Sequence, residues 1–586
     1  MKKLLVVLII VSVAGSAFAQ AKTIKNPDTF IWLAYGTVDS VDPAKAYDNA
    51  SGGLLQNIYE PLIDYKGAST SEFVPILATT VPTVKNGLIT NGGKTYRFPI
   101  RKGVKFHSGS ALTPEVVAYS FKRNLVVDCE GGPQPLIYEA LFGIGTSSTD
   151  IMGDGSNKPV TLAMLNQAIQ VKGDSVIFNL KGPYAPFLAV LAGYWGSVVD
   201  RDFAIAHGDW KGTQEDIARV NRPEQGKEPL TEIASGTGPY KLVRIDKATE
   251  AVFERFAGYW GPKPAMAKAI YRIVEEWGTR KLMLLQGDAD YALVDPMYYA
   301  EMEKEPGVKV AKGNMTELGN RGISFNQKIA ATDNPYIYSG KLDGGGVPPE
   351  FFSDRDVRLA FTYAFNKPVY LKDINKGFGV AAETPIPAGL PYFNPELKAY
   401  PFDLKKAEEH FKKAWGGKLW QEGFQLDLTY NTGNEVREQT MKLLAEAITG
   451  LNPKFKVQAR SVEWATFVNS QNKKLLPIFY IGWGADFADP HNFIYTYMYK
   501  TGLHASRCGY NSPEADKLIE QGLAETDAAK RKAIYYRLQD LWQEDVPGIM
   551  LHQPIRQQYF KDWVKGYFFH PMENNPNWFR IYSKGY

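Results

Sequence analysis

The sequence predicts an α/β protein of more than one domain, and three observations predict it. At 586 residues the chain exceeds what one hydrophobic core usually holds, which gives two to four domains. Helices with marked caps alternate along it with strand-like runs. One run, "LPIFYIGW" (Leu476 to Trp483), is apolar almost throughout, the pattern of a strand buried on both faces of a mixed sheet.

The chain begins with Lys2 and Lys3, an uncharged apolar run from Leu4 to Val13, and then Ala14-Gly15-Ser16-Ala17-Phe18-Ala19. Positive charge, a short apolar stretch and an Ala-x-Ala end are the pattern of a secretory signal peptide over residues 1–19. Cleavage is expected after Ala19, with Ala21 as the second choice. The run is too short to cross a bilayer, which takes about 20 apolar residues. No cysteine lies near the cleavage point, so an exported protein without a lipid anchor is expected, and with it the periplasm.

"GLITNGGKT" (Gly87 to Thr95) imitates a phosphate loop but lacks glycine at Leu88 and precedes a strand, so it reads as a hairpin turn. "TYRFPI" (Thr95 to Ile100) and "VKFHSG" (Val104 to Gly109) flank Arg101-Lys102-Gly103, which predicts a second hairpin. Thr113-Pro114-Glu115 opens a helix, with threonine at the N-cap, proline in the first turn and an acid at the positive end. Val117, Phe121 and Leu125 follow at intervals of four as its buried stripe. Residues 330–350, "ATDNPYIYSGKLDGGGVPPE" within them, are rich in Gly and Pro and read as a surface insertion.

Asp403 caps the next helix, with Ala407, Phe411 and Ala414 inward and Gly416-Gly417 at its end. "QLDLTY" and "FKVQARSV" flank a helix around Met441 to Ile448, a β-α-β unit. Ser512-Pro513-Glu514 starts a further helix and Thr526-Asp527 the last, with Ile534, Leu538 and Leu541 on its core face. That helix should stop before Pro547.

Composition excludes several functions. The formal charge of +4 falls to +2 when Lys2 and Lys3 leave with the signal peptide, and no basic stripe stands out, so nucleic acid is not a partner. Two cysteines, Cys129 and Cys508, leave a disulfide open, since spacing in sequence does not set spacing in space. Seven scattered histidines give no zinc pattern, and no metal or cofactor is expected. No Gly-x-Ser-x-Gly elbow or His-Glu-x-x-His occurs. The 13% aromatic content, with 33 Tyr and 12 Trp, suits a ligand cleft as well as a core.

Several stretches together carry a resemblance. "YRFPIRKGVKFHSGSALTPEVVAYSFKR" (Tyr96 to Arg123) resembles the best-marked segment of the family 5 extracytoplasmic solute-binding proteins, the peptide/nickel-type binding components of ABC importers. "SGTGPYKLV", "YWGPKP", "LLQGDAD", "SDRDVRLAFTYAFNK", "PIPAGLPYF", "FDLKKAEEHFKKA", "WGADFADP" and "YNSPEADKLI" follow in that family's order. The likeness covers essentially the whole mature chain, with 330–350 as a departure.

The resemblance implies a two-lobed periplasmic-binding-protein clamp, type II, of the large class with an extra subdomain on lobe 1. Lobe 1 would comprise 20–318 and 552–586, with the subdomain at about 60–215, and lobe 2 would be 319–551. The ligand would sit between lobes that close about a hinge. The implied function is capture of an oligopeptide or similar solute, without chemistry, and delivery by a monomer to an inner-membrane permease.

It also implies the site. In peptide-binding members a Trp-x-x-Asp segment meets the ligand, its Asp taking the α-ammonium while nearby backbone adds the peptide as a strand. Trp483 and Asp486 stand at that spacing, with Gly482 and Gly484 beside them. Tyr47, Asp48 and Asn49 are placed across the cleft. Where peptide binders often carry a supporting tyrosine, this chain has Gln134, and Asp with Gln near aromatic faces suits sugar hydroxyls too. An oligosaccharide binder is therefore the alternative. Read from the residues alone, Asp486 is a ligand contact or a structural ion-pair member, and Asp489, before Pro490, is a turn or helix cap. As a pair, Asp486 and Asp489 would also suit a secreted glycosidase, the remote alternative.

Overall fold

The protein is described here by a computed structural model covering residues 24–184, 186–313, 315–525, 527–572 and 579–586. The expected signal peptide lies outside the described residues.

Two mixed sheets organise the molecule. The first has seven strands in the order Val308–Ala311, Gln558–Lys561, Tyr291–Ala292, Thr29–Ala34, Lys268–Ile273, Glu250–Arg255 and Tyr240–Asp246. The second has six, in the order Gly379–Ala381, Gly548–Pro554, Gly319–Phe325, Ile478–Gly484, Phe424–Asn431 and Phe455–Val462. The chain passes from the first sheet to the second between Ala311 and Gly319, and returns between Pro554 and Gln558. A four-stranded antiparallel sheet (Ile89–Thr90, Thr95–Pro99, Ser175–Asn179, Ile169–Lys172) lies within the first part of the chain.

The capped helices form where their caps stand. Thr113 accepts from Val116 N at the head of Pro114–Val127, and Val117, Phe121 and Leu125 are fully buried. Asp403 caps Leu404–Lys413, Ser512 caps Pro513–Ala524 and Asp527 caps Ala528–Asp545. The last stops at Val546, in the left-handed region one residue before Pro547, as the steric demand of proline requires. Gly416 and Gly417 adopt positive φ after the Asp403 helix. Phe424–Asn431 and Phe455–Val462 pair in parallel around Glu435–Thr449, the β-α-β unit. Ile478–Gly484 is central and mostly buried, parallel to one neighbour and antiparallel to the other.

One expected hairpin is absent. Thr95–Pro99 pairs with Ser175–Asn179 and, through the turn at Asn91–Gly93, with Ile89–Thr90. "VKFHSG" instead folds on itself: Phe106 N donates to Ser110 O and Leu112 N to Val104 O. Local alternation could not reveal that a strand eighty residues on would claim the edge. Residues 330–350 are mostly surface, but Tyr336, Ile337 and Val347 are buried and tie the segment down.

Candidate ligand site

A cavity of about 350 Å³ lies between the two sheets. Residues from both line it: Trp32, Ala34 and Tyr47 with the first sheet, Asn431, Tyr480 and Trp483 with the second. Tyr47, Asp48, Asn49, Gly482, Trp483, Gly484 and Asp486 all face it.

Asp486 sits in the turn between Ile478–Gly484 and the helix Pro490–Met498. Its Oδ2 accepts from Tyr47 Oη at 2.9 Å and from Asn492 Nδ2 at 2.7 Å. The Asn492 amide is fixed in turn, its Oδ1 accepting from Trp483 Nε1 and from Asp486 N, both at 3.1 Å. Oδ1 of Asp486 has no partner, and no lysine, arginine or histidine pairs with the group among the described residues. Burial, only partly offset by the Asn492 and Tyr47 bonds, pushes its pKa up to about 7. Trp483 is 8% exposed and packs edge-on to Tyr47, ring centroids 5.3 Å apart.

Asp48 caps the helix Asn49–Ile58, Oδ1 accepting from Ala50 N and Ser51 N at 3.0 Å. Burial, then the charge of Asp39, pushes its pKa up to about 6. Gln134 does not reach the cavity. It is fully buried beneath the Asp42-Pro43 turn, its Nε2 donating to Pro43 O at 3.3 Å. The placement expected for it from its position after Pro133 is therefore corrected.

Asp489 turns away from the cavity. It caps Pro490–Met498 through His491 N, and both of its oxygens meet Arg531, at 2.9 and 3.1 Å. The two carboxylates so close in sequence thus have separate surroundings, and only Asp486 faces ligand space. This removes the acid pair on which a glycosidase reading rested.

The backbone contributes as well. Ile478–Gly484 pairs along its length with Gly319–Phe325, but with Phe424–Asn431 only at Phe479 opposite Thr429. Ala485 N donates to Leu318 O, so by antiparallel alternation Trp483 and Ile481 bond that same neighbour. Gly482 and Gly484 then aim N–H and C=O to the other side, where no strand is paired among the described residues. Sequence reasoning missed Asn492, whose role needs the turn to be folded, and two cavity arginines. Arg437 donates to Asn431 and lies over the Tyr480 ring, while Arg507 donates to Gln471 and Asn472. Neither has a carboxylate partner among the described residues, and burial lowers the pKa of both, Arg507 to about 10.

Comparison with known proteins places this geometry. Residues 72–504 match the bacterial extracellular solute-binding proteins, family 5 Middle. The chain belongs to that family. This solute-binding protein is 26% identical over 592 residues to the dipeptide-binding protein of Escherichia coli K12, covering 96% of this chain and 95% of that one. It is 24% identical over 571 residues to heme-binding protein A of Haemophilus influenzae, covering 94% and 92%. Among solved structures it resembles the ABC transporter-associated periplasmic binding protein DppA from Helicobacter pylori in complex with peptide STSA. That match has a TM-score of 0.75 at 24% identity and covers 95% and 98% of the two chains. The fold of the solute-binding protein is thus that of the type II periplasmic binding proteins, built on mixed α/β sheets. Among the described residues no helix is long and apolar enough to cross a membrane, and no group of three or more His, Cys, Asp or Glu is placed to hold a metal.

Proposed function

We propose that this protein captures a short peptide between its two lobes and delivers it to an ABC importer in the inner membrane. The observation that carries the reading is Asp486: a carboxylate facing the cavity, one oxygen held by neutral donors, the other without a partner among the described residues. A half-buried carboxylate lacking a cation is costly, and a peptide's α-ammonium would supply that cation with charge-assisted bonds. Gly482 and Gly484 offer backbone for an added strand, a contact that is indifferent to side-chain identity. Arg437 and Arg507 offer unneutralised guanidinium groups to the ligand's carboxylate end. The dipeptide-binding relative and the peptide-bound structural neighbour support the same class of ligand.

In this reading lobe 1 comprises residues 20–318 with the extra subdomain at about 60–215, and lobe 2 begins at 319. The return to lobe 1 follows Pro554 rather than residue 551, because His552, Gln553 and Pro554 still pair in the second sheet. Signal-peptide cleavage releases a monomer into the periplasm. Closure excludes water from the polar anchors, the closed form is what the permease meets, and the ligand leaves chemically unchanged. An oligosaccharide would stack on the cavity aromatics but leave Asp486 without a counter-charge, and Gln134 no longer contributes to such a site.

Native mass spectrometry of protein purified without refolding, with denaturing release of its cargo, tests the proposal. Short peptide masses are expected. A hexose-spaced ladder or a tetrapyrrole mass, with no calorimetric binding of free-amine tripeptides, would overturn it.

A further inference from the structure

Asp295 lines the same cavity from the first sheet, three residues beyond the strand Tyr291–Ala292. It stands just before Pro296, at the head of the short turn Pro296–Tyr298, where an aspartate ordinarily bonds a backbone N–H. Here only its backbone does so, Asp295 O accepting from Tyr298 N at 2.9 Å, and the side chain makes no cap bond. The residue is 6% exposed. Tyr35 Oη touches Oδ1 at 3.5 Å, and Oδ2 is buried with no partner among the described residues.

The cations nearby are engaged elsewhere. Arg280 donates to the carbonyls of Val274, Glu275 and Leu293, and Arg556 pairs with Glu317. Arg437 donates to Asn431 and covers the Tyr480 ring. Arg280 and Arg556 lend the carboxylate positive field without bonding it, while Glu435, bonded by Tyr298 Oη at the head of the helix Glu435–Thr449, adds negative field. A carboxylate that forgoes its cap, is almost wholly buried and keeps an unpartnered oxygen in the cavity wall lacks a hydrogen-bonded counter-charge among the described residues.

We propose that Asp295 forms a second cation subsite, which takes the basic side chain of a lysine or arginine residue in the bound peptide. This rests on the peptide reading above, with Asp486 holding the α-ammonium. Asp295 then sets selectivity, favouring peptides that carry a positive side chain over neutral ones of the same shape.

Calorimetry at pH 8 with Ala-Lys-Ala, Ala-Ala-Lys and their norleucine counterparts tests it. At least one lysine peptide should bind at least about tenfold more tightly than its norleucine partner. In Asp295→Asn that ratio should fall to about twofold or less. Equal affinities in the wild type, or a preference that survives Asp295→Asn, would overturn the subsite while leaving the peptide reading in place. Failure of all four peptides to bind would overturn the peptide reading and the subsite with it.

Discussion

Tyr47 and Asp486, 439 residues apart in the chain, are joined by a hydrogen bond of 2.9 Å from Tyr47 Oη to Asp486 Oδ2. The bond fixes the carboxylate with a neutral donor and leaves Oδ1 open to the cavity. Asp486→Ala should therefore weaken a free-amine tripeptide by about 2–5 kcal/mol, since the ligand's ammonium would be buried unpaired. The N-acetylated tripeptide, which brings no charge, should lose far less. Calorimetry on both ligands decides, and equal losses would make Asp486 a structural residue.

Affinity should depend on pH in a stated direction. The Asp486 pKa is pushed up to about 7, above the usual carboxylate range. A cationic ligand needs the ionised form, so below pH 7 binding must displace a proton, and the free-amine affinity should fall, approaching tenfold per unit at lower pH. Stability of the empty protein runs the other way. Between about pH 4 and 7 the folded state binds the proton that the unfolded state does not, so this group's contribution to stability rises as pH falls. Asp48, pushed up to about 6, acts in the same sense. Ligand affinity that stays flat from pH 8 to 5.5 would contradict an ionised Asp486 in the complex.

Tyr47→Phe isolates the hydroxyl. The Tyr47 bond is one of two that hold the Asp486 pKa down against burial, so its loss should move the midpoint of the pH profile upward. The direct loss of affinity should be modest, about 0.5–1.5 kcal/mol for a single bond. A weaker binder with an unmoved midpoint would show that Tyr47 contacts ligand without tuning Asp486.

What was legible in the sequence is whatever local chemistry decides. Thr113, Asp403, Ser512 and Asp527 cap helices because their oxygens meet N–H groups two or three residues on. Trp483 and Asp486, expected at the ligand from the family resemblance, both line the cavity because one strand and the turn after it hold them. Long-range competition was not legible. The edge of Thr95–Pro99 went to Ser175–Asn179 rather than to the nearby "VKFHSG", and Gln134 was drawn under Pro43 rather than into the cleft. Asp295 gave no signal, because Asp-Pro normally reads as a turn, and only the folded chain reveals its unused cap bond.

The cysteines offer a check on the fold that does not depend on any ligand. Cys129 and Cys508 are free and buried, in separate hydrophobic clusters. Burial pushes Cys508 up to about 12 and Cys129 well above its ordinary value, so both stay as unreactive thiols at neutral pH. A thiol reagent at pH 8 should modify neither in the native protein and both in denaturant. Zero thiols in denaturant would mean a disulfide and a different arrangement of the two segments.

Asp489 provides the contrast to Asp486. Its carboxylate caps Pro490–Met498 and grips Arg531 with both oxygens, each side chain 18% exposed. Asp489→Ala removes a cap worth about 0.5–2 kcal/mol and leaves a half-buried guanidinium short of its partner, so stability should fall by about 2–3 kcal/mol in denaturant titrations. Peptide affinity should stay within about threefold, because the residue does not face the cavity. The pattern for Asp486→Ala is the reverse: affinity lost and stability little changed, because removing a half-buried, unpaired charge offsets the two hydrogen bonds it accepted. If Asp489→Ala instead lost binding while keeping its stability, the two carboxylates would have to be read again as a pair acting on one ligand.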